Sequence, residues 1–230
     1  MSIFLEGHTL LINKPLRWTS FDVVKKIRYA IKSELKIKKI KVGHAGTLDP
    51  LADGLLIICT GKNTKKIQDY QNLEKEYTAE ITLGATTPSF DLETDINDVY
   101  PIEHITNELL FEVGQSFTGD LLQIPPIYSA IRQDGKRLYE HARKGHKVEV
   151  KARKVHVSEF KITNVELPKI KVLIKCSKGT YIRSLANDFG KALKSGGHLS
   201  QLTRTRIGNH ELSQAIDVQD FIESLSCKEI

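Results

Sequence analysis

The stretch Gly43–Gly61, GHAGTLDPLADGLLIICTG, constrains this chain more than any other part of it. Gly43, Gly46 and Gly54 admit backbone conformations that other residues resist, and Pro50 drives Asp49 towards an extended conformation. Asp49 is therefore expected to hold one pose. Local chemistry leaves two uses for that pose open, because an Asp-Pro step in a glycine-rich loop serves a plain turn as readily as a fixed reactive carboxylate.

The segments around this loop predict an α+β fold. Ser20 can cap a helix to about Glu34, with Phe21, Val24, Ile27 and Ile31 at near-helical spacing. LKIKKIKVGH, residues 35–44, alternates apolar and basic residues as a half-buried strand does before it runs into the glycine-bounded loop. Residues 76–84 put Tyr77, Ala79, Ile81 and Leu83 on one strand face, and KIKVLIKCS at 169–177 repeats that pattern. A helix from about Tyr181 to Lys194 turns Ile182, Leu185, Ala186, Phe189 and Leu193 inward. HLSQLTRTRIG then reads as a strand, and a short helix follows Asp217. The order lacks a regular βαβ rhythm, so the expectation is a large mixed β-sheet flanked by helices.

Charge narrows the partner. Thirty-four Lys and Arg against 28 Asp and Glu give a formal net charge of +6, compatible with a polyanion. The charge is also segregated. Residues 91–112 carry seven acids and no Lys or Arg, whereas 132–154 carry nine basic residues against three acids. Tyr128, Tyr139, His141 and His146 in or beside that basic segment suit RNA, where cations meet phosphates and rings stack on bases. A solvated surface segment fits the same composition. Cys59, Cys176 and Cys227 lie far apart without a CxxC pair, which argues against a disulfide framework or a thiolate zinc site. No apolar run approaches a membrane span, and the expectation is a soluble cytoplasmic protein.

Several motifs, in order along nearly the whole chain, resemble one family. NKPLRWTSFDVVKKIR (13–28), the Gly43–Gly61 stretch, KEYTAEITLGATTPSFD (75–91), QIPPIYSAIRQDGKRLYEHARKG (123–145), CSKGTYIRSLANDFG (176–190) and LTRTRIG (202–208) are similar to the motifs of bacterial tRNA pseudouridine-55 synthases of the TruB type. The resemblance implies a pseudouridine-synthase fold as one catalytic domain over residues 1–230, with a basic, thumb-like RNA-gripping insertion at about 120–150. It implies conversion of uridine 55 in the T loop of tRNA to pseudouridine, without metal or cofactor, by a stand-alone monomer lacking the C-terminal PUA domain of many relatives.

By motif position, the resemblance makes Asp49 the catalytic carboxylate, Arg183 the guanidinium that pairs with it, and Tyr77 the ring that packs on the target base. His44 fills the space left by the flipped uridine, and Leu202 lines the pocket. Lys14, Lys65, Arg132, Lys136 and Arg143 are phosphate contacts as a group. A non-catalytic RNA chaperone and a pseudouridine synthase with another RNA target are the rival readings. The chain departs from the family at Arg17, where a glycine is usual, and at Ala45 and Asp53, where threonines are common. Asp53 would raise the pKa of Asp49 if the two side chains met, and they are expected to diverge.

Overall fold

The computed structural model describes residues 2–129, 132–133, 136–138 and 150–226. The chain divides into two compact units, Met1–Tyr77 with Leu202–Ile230, and Thr78–Gln201. Two strands, Lys75–Leu83 and Gly197–Ile207, run from one unit into the other. The fold is α+β with a mixed sheet flanked by helices, as the sequence predicts.

The first unit is built around the strand Ala52–Thr60. Thr9–Lys14 pairs with it antiparallel, from Thr9 opposite Cys59 to Lys14 opposite Gly54, and pairs parallel with Ile216–Asp217 on its other edge. Val42–His44 lies antiparallel to the far end of Ala52–Thr60, and Leu202–Arg204 lies parallel to its start. The central strand is apolar without alternation because both of its faces are covered. Leu56 and Ile58 pack with Leu10, Ile12, Val24, Ile27, Ile31 and Phe221, under the helices Ser20–Glu34 and Val218–Ser226. Leu55, Ile57 and Cys59 face the opposite way and pack with Ala45 and Ile207.

Two local expectations are corrected here. Thr19, not Ser20, caps the first long helix: its Oγ accepts from Asp22 N at 3.0 Å while an Asp22 carboxylate oxygen accepts from Thr19 N at 3.1 Å. That reciprocal box fixes the helix start, and Phe21 on its first turn is exposed rather than part of the apolar face. The strand expected over 35–44 shrinks to Val42–His44. Leu35 ends the helix and Lys36 adopts a left-handed φ of 51°, so the basic alternation that follows is not laddered.

In the second unit, Arg153–Glu166 pairs antiparallel with both Lys169–Cys176 and Gly119–Gln123, and the portion of Lys75–Leu83 after Tyr77 neighbours Lys169–Cys176. Phe117, Phe160 and Phe189 form a ring cluster with centroids 5.3–5.5 Å apart. It ties the sheet to the helix Ile182–Ala192, whose expected inward residues are all buried. Arg132–Gln133 pairs with Lys136–Arg137 as a short antiparallel ladder within the expected insertion. Among the described residues no helix is long and apolar enough to cross a membrane.

Candidate active site

The GHAGTLDP loop leaves the strand Val42–His44 and returns as Ala52–Thr60, and its backbone is fastened at almost every step. Ala45 N donates to Ile57 O at 2.9 Å. Arg204, 1% exposed, donates from Nη2 to Gly46 O at 3.1 Å and from Nε to Leu55 O at 2.7 Å. Buried Ser20 accepts from Leu48 N at 2.8 Å and donates to Leu48 O at 3.1 Å. Ala52 N closes the turn on Asp49 O at 3.1 Å, and Arg17 N donates to Pro50 O at 2.7 Å. Asp49, half-buried, thus projects from a backbone with little freedom left.

Two glycines in this region are required by geometry. Gly54 has φ +97°, and a Cβ there would lie 2.5 Å from Arg204 O; Gly46, also at φ +97°, brings its backbone under the Arg204 guanidinium. Arg17 takes a φ of 67°, the left-handed conformation for which glycine is the ordinary residue. The turn at Arg17 therefore keeps a glycine-like path.

Lys14, expected as a phosphate contact, has a fully buried side chain, with Nζ donating to Pro15 O at 2.8 Å and Trp18 O at 2.7 Å. Burial pushes its pKa down to about 8, against the opposing fields of Asp53 and then Asp49. At neutral pH it remains an ammonium in the field of both carboxylates. Among the described residues Asp53 Oδ1 is buried without a hydrogen-bond partner, and Ala45 sits in the apolar cluster where a hydroxyl would need one.

His44 lies half-buried at the end of its strand, and its Nδ1 has no hydrogen-bond partner among the described residues. Burial, and then the Arg204 charge, hold its pKa below the ordinary 6.5 against a backbone hydrogen bond involving Gly46. Tyr77 and Leu202 are nearly buried, and Leu202 stands opposite Ala52 at the loop's return. Lys65 is exposed on the 3₁₀ helix Gly61–Lys66.

Arg183 belongs to the second unit. It is 3% exposed, on the first turn of Ile182–Ala192, and donates from Nη1 to Ser89 O at 3.2 Å and from Nη2 to Tyr128 O at 3.0 Å; Nε stands 3.5 Å from an Asp91 carboxylate oxygen. The start of the same helix is buttoned to the beginning of the expected insertion. Gln123 accepts from Tyr181 N at 2.8 Å and donates to Tyr181 O at 3.0 Å, and Ser184 donates to Ile124 O at 2.8 Å. Arg132 and Lys136 lie on the short paired ladder, and Arg143 lies outside the described residues. Gln123, Asp91 and Arg204 were not singled out by sequence, and Ser20 was expected only as a helix cap. For Arg204 the signal was a cation inside an otherwise strand-like LTRTRIG.

Residues 32–182 match the TruB family pseudouridylate synthase (N terminal domain). The chain belongs to the TruB family of pseudouridylate synthases. Membership makes it an isomerase. Over 99% of its length it is 56% identical to the tRNA pseudouridine synthase B of Phocaeicola vulgatus, covering 97% of that protein. It is 55% identical to the tRNA pseudouridine synthase B of Flavobacterium johnsoniae, over 96% of this chain and 97% of the relative. Among solved structures, a chain of a Cbf5-Nop10-Gar1 complex superposes with a TM-score of 0.69 at 26% identity over 96% of this chain; the TruB-family chain spans about half (54%) of that one's length.

Proposed function

We propose that the protein isomerises a uridine of tRNA to pseudouridine at position 55 of the T loop, with Asp49 as the catalytic carboxylate. The observation that carries the reading is the likeness, over nearly the full chain, to relatives named tRNA pseudouridine synthase B. The Asp49 assignment draws support from the loop. A carboxylate that must meet one sugar–base bond gains from a backbone fixed before the substrate arrives, because prepaid orientation lowers the barrier. Ser20, Arg17 and Arg204 supply that fixing.

The reaction needs no outside reagent. The C1′–N1 bond breaks, the uracil turns while bound, C1′ joins C5, the proton on C5 leaves and N1 gains one. Asp49 serves while ionised, and the buried Lys14 ammonium favours that form. Tyr77 is the aromatic partner of the base and its hydroxyl suits the late proton transfer. Arg183 is the supporting guanidinium, held in one orientation by two carbonyls and Asp91. The target base is turned out of its stack at a cost of about a few kcal/mol, and His44, a half-buried ring, is the group that fills the space it leaves.

The test is incubation with an unmodified tRNA transcript followed by mapping of pseudouridine. Product at position 55 is expected, and its absence there overturns the assignment. The Asp49→Asn variant is expected to bind the transcript with unchanged Kd and to make no product. Full turnover by that variant would remove Asp49 from the chemistry.

A further inference from the structure

The alternating lysines of residues 38–41, which form no strand, meet other cations in the first unit. An open cavity of about 710 Å³ is lined by Arg28, Lys32, Lys38, Lys39, Lys41, Lys62 and Lys65, together with Leu5, Ile40, Gly61 and Thr64. No acid lines it. The cations come from three separate parts of the chain: the helix Ser20–Glu34, the segment 38–41 and the 3₁₀ helix Gly61–Lys66.

Their backbones are locked together. Gly61 N donates to Lys41 O at 2.9 Å, Arg28 Nη2 donates to Val42 O at 2.8 Å, and Thr64 Oγ donates to Gly61 O at 2.8 Å. Gly61 sits at φ +50°, where a Cβ would come within 2.6 Å of the carbonyls of both Phe4 and Leu5. The floor is close-packed, while Lys38, Lys39, Lys41, Lys62 and Lys65 around it are exposed.

Seven like charges gathered without an acid repel one another in the free protein, and a polyanion relieves that repulsion. Lysines on flexible stems act as point charges at variable reach, which suits a run of backbone phosphates better than one small, fork-bound anion. We infer that this basin is a second RNA-binding surface, gripping the phosphate backbone of the tRNA beyond the target arm. The inference rests on the reading of tRNA as the substrate. It assigns these lysines to affinity for the whole molecule and leaves the chemistry to the loop.

The experiment uses the intact protein and the triple variant Lys38→Gln, Lys39→Gln, Lys62→Gln, with two RNAs: a full-length unmodified tRNA transcript and its isolated T-arm hairpin. Each phosphate contact contributes about eightfold to affinity at 0.1 M salt, from a slope of roughly 0.9 per phosphate. The variant is expected to bind the transcript at least about eightfold more weakly, with a shallower salt dependence. On the hairpin, Kd and kcat stay at wild-type values. Without RNA the variant is expected to melt no lower than the wild type, since it loses only repulsion.

Transcript binding within twofold of wild type overturns the inference, and so does an equal loss on both RNAs. It is likewise overturned if the variant loses only binding to vesicles of phosphatidylglycerol, which would make the basin a membrane contact. If the wild type makes no pseudouridine in either RNA, the proposed function fails while the two dissociation constants still decide the basin.

Discussion

Replacing Ser20 with alanine isolates the contribution of one side chain to the reactive loop. Ser20 and Leu48 are 1% and 3% exposed, and the hydroxyl both accepts from Leu48 N and donates to Leu48 O. Alanine leaves the helix and its Thr19 cap in place and deletes only the oxygen. The Leu48 N–H then has no partner in a dry site, a loss of about 1–3 kcal/mol, and the carbonyl adds a smaller loss. A total near 2 kcal/mol corresponds to a Tm about 4–8 °C lower for a chain of this size. Leu48 precedes Asp49, so release of its peptide displaces the carboxylate, and a displacement of about 1 Å costs up to about a hundredfold in rate. Calorimetric melting, single-turnover pseudouridine formation and tRNA binding would be measured side by side, with Ser33→Ala, exposed on the same helix, as the control. The expected pattern is a lowered Tm, a kcat reduced about tenfold or more, and Kd within twofold. A Tm shift under about 1 °C with unchanged kcat would show that the loop holds its shape without Ser20.

Two further outcomes are expected. Arg17→Gly should raise stability by about 0.5–1 kcal/mol: the left-handed φ of 67° costs a non-glycine residue about 1–2 kcal/mol, and the extra backbone entropy of glycine returns part of it. Denaturant midpoints check this, and a destabilised variant would mean that the arginine side chain contributes more than its backbone costs. Lys14 has a folded pKa of about 8 against an ordinary 10.5, so the unfolded chain binds more protons between those values and stability rises with pH across that window. The rise amounts to at most about 3 kcal/mol from this residue. Unfolding at both ends of the window should show it in the wild type and not in Lys14→Met; parallel curves for the two proteins would refute it.

The sequence made the framework legible wherever burial alternates or repeats at helical spacing. Tyr77, Ala79, Ile81 and Leu83 share a buried face, and the inward stripe of Ile182–Ala192 is as expected. Alternation misled where no neighbouring strand is available: it starts at Leu35 and breaks at Lys38–Lys39, and pairing with Ala52–Thr60 begins only at Val42. At the first long helix two adjacent hydroxyls competed for the cap. Asp22 stands three residues after Thr19, which completes a box only with that residue and frees Ser20 for Leu48. That second bond joins positions 28 apart and leaves no local trace. The helix Asn107–Gln115 was hidden by the charge of its segment, although Thr106 caps it through Leu109 N. Lys14 resembled a surface cation because its burial depends on the carbonyls of Pro15 and Trp18, reached only once the turn at Arg17 has formed.

Arg204 sets a clock on the enzyme. The carbonyls it binds, Gly46 O and Leu55 O, precede it by 158 and 149 positions. At ribosomal speeds of about 5–20 residues per second, the reactive loop waits roughly 8–30 s for the side chain that completes its support. A nascent or truncated chain that stops short of residue 204 carries the whole GHAGTLDP segment and still lacks that support.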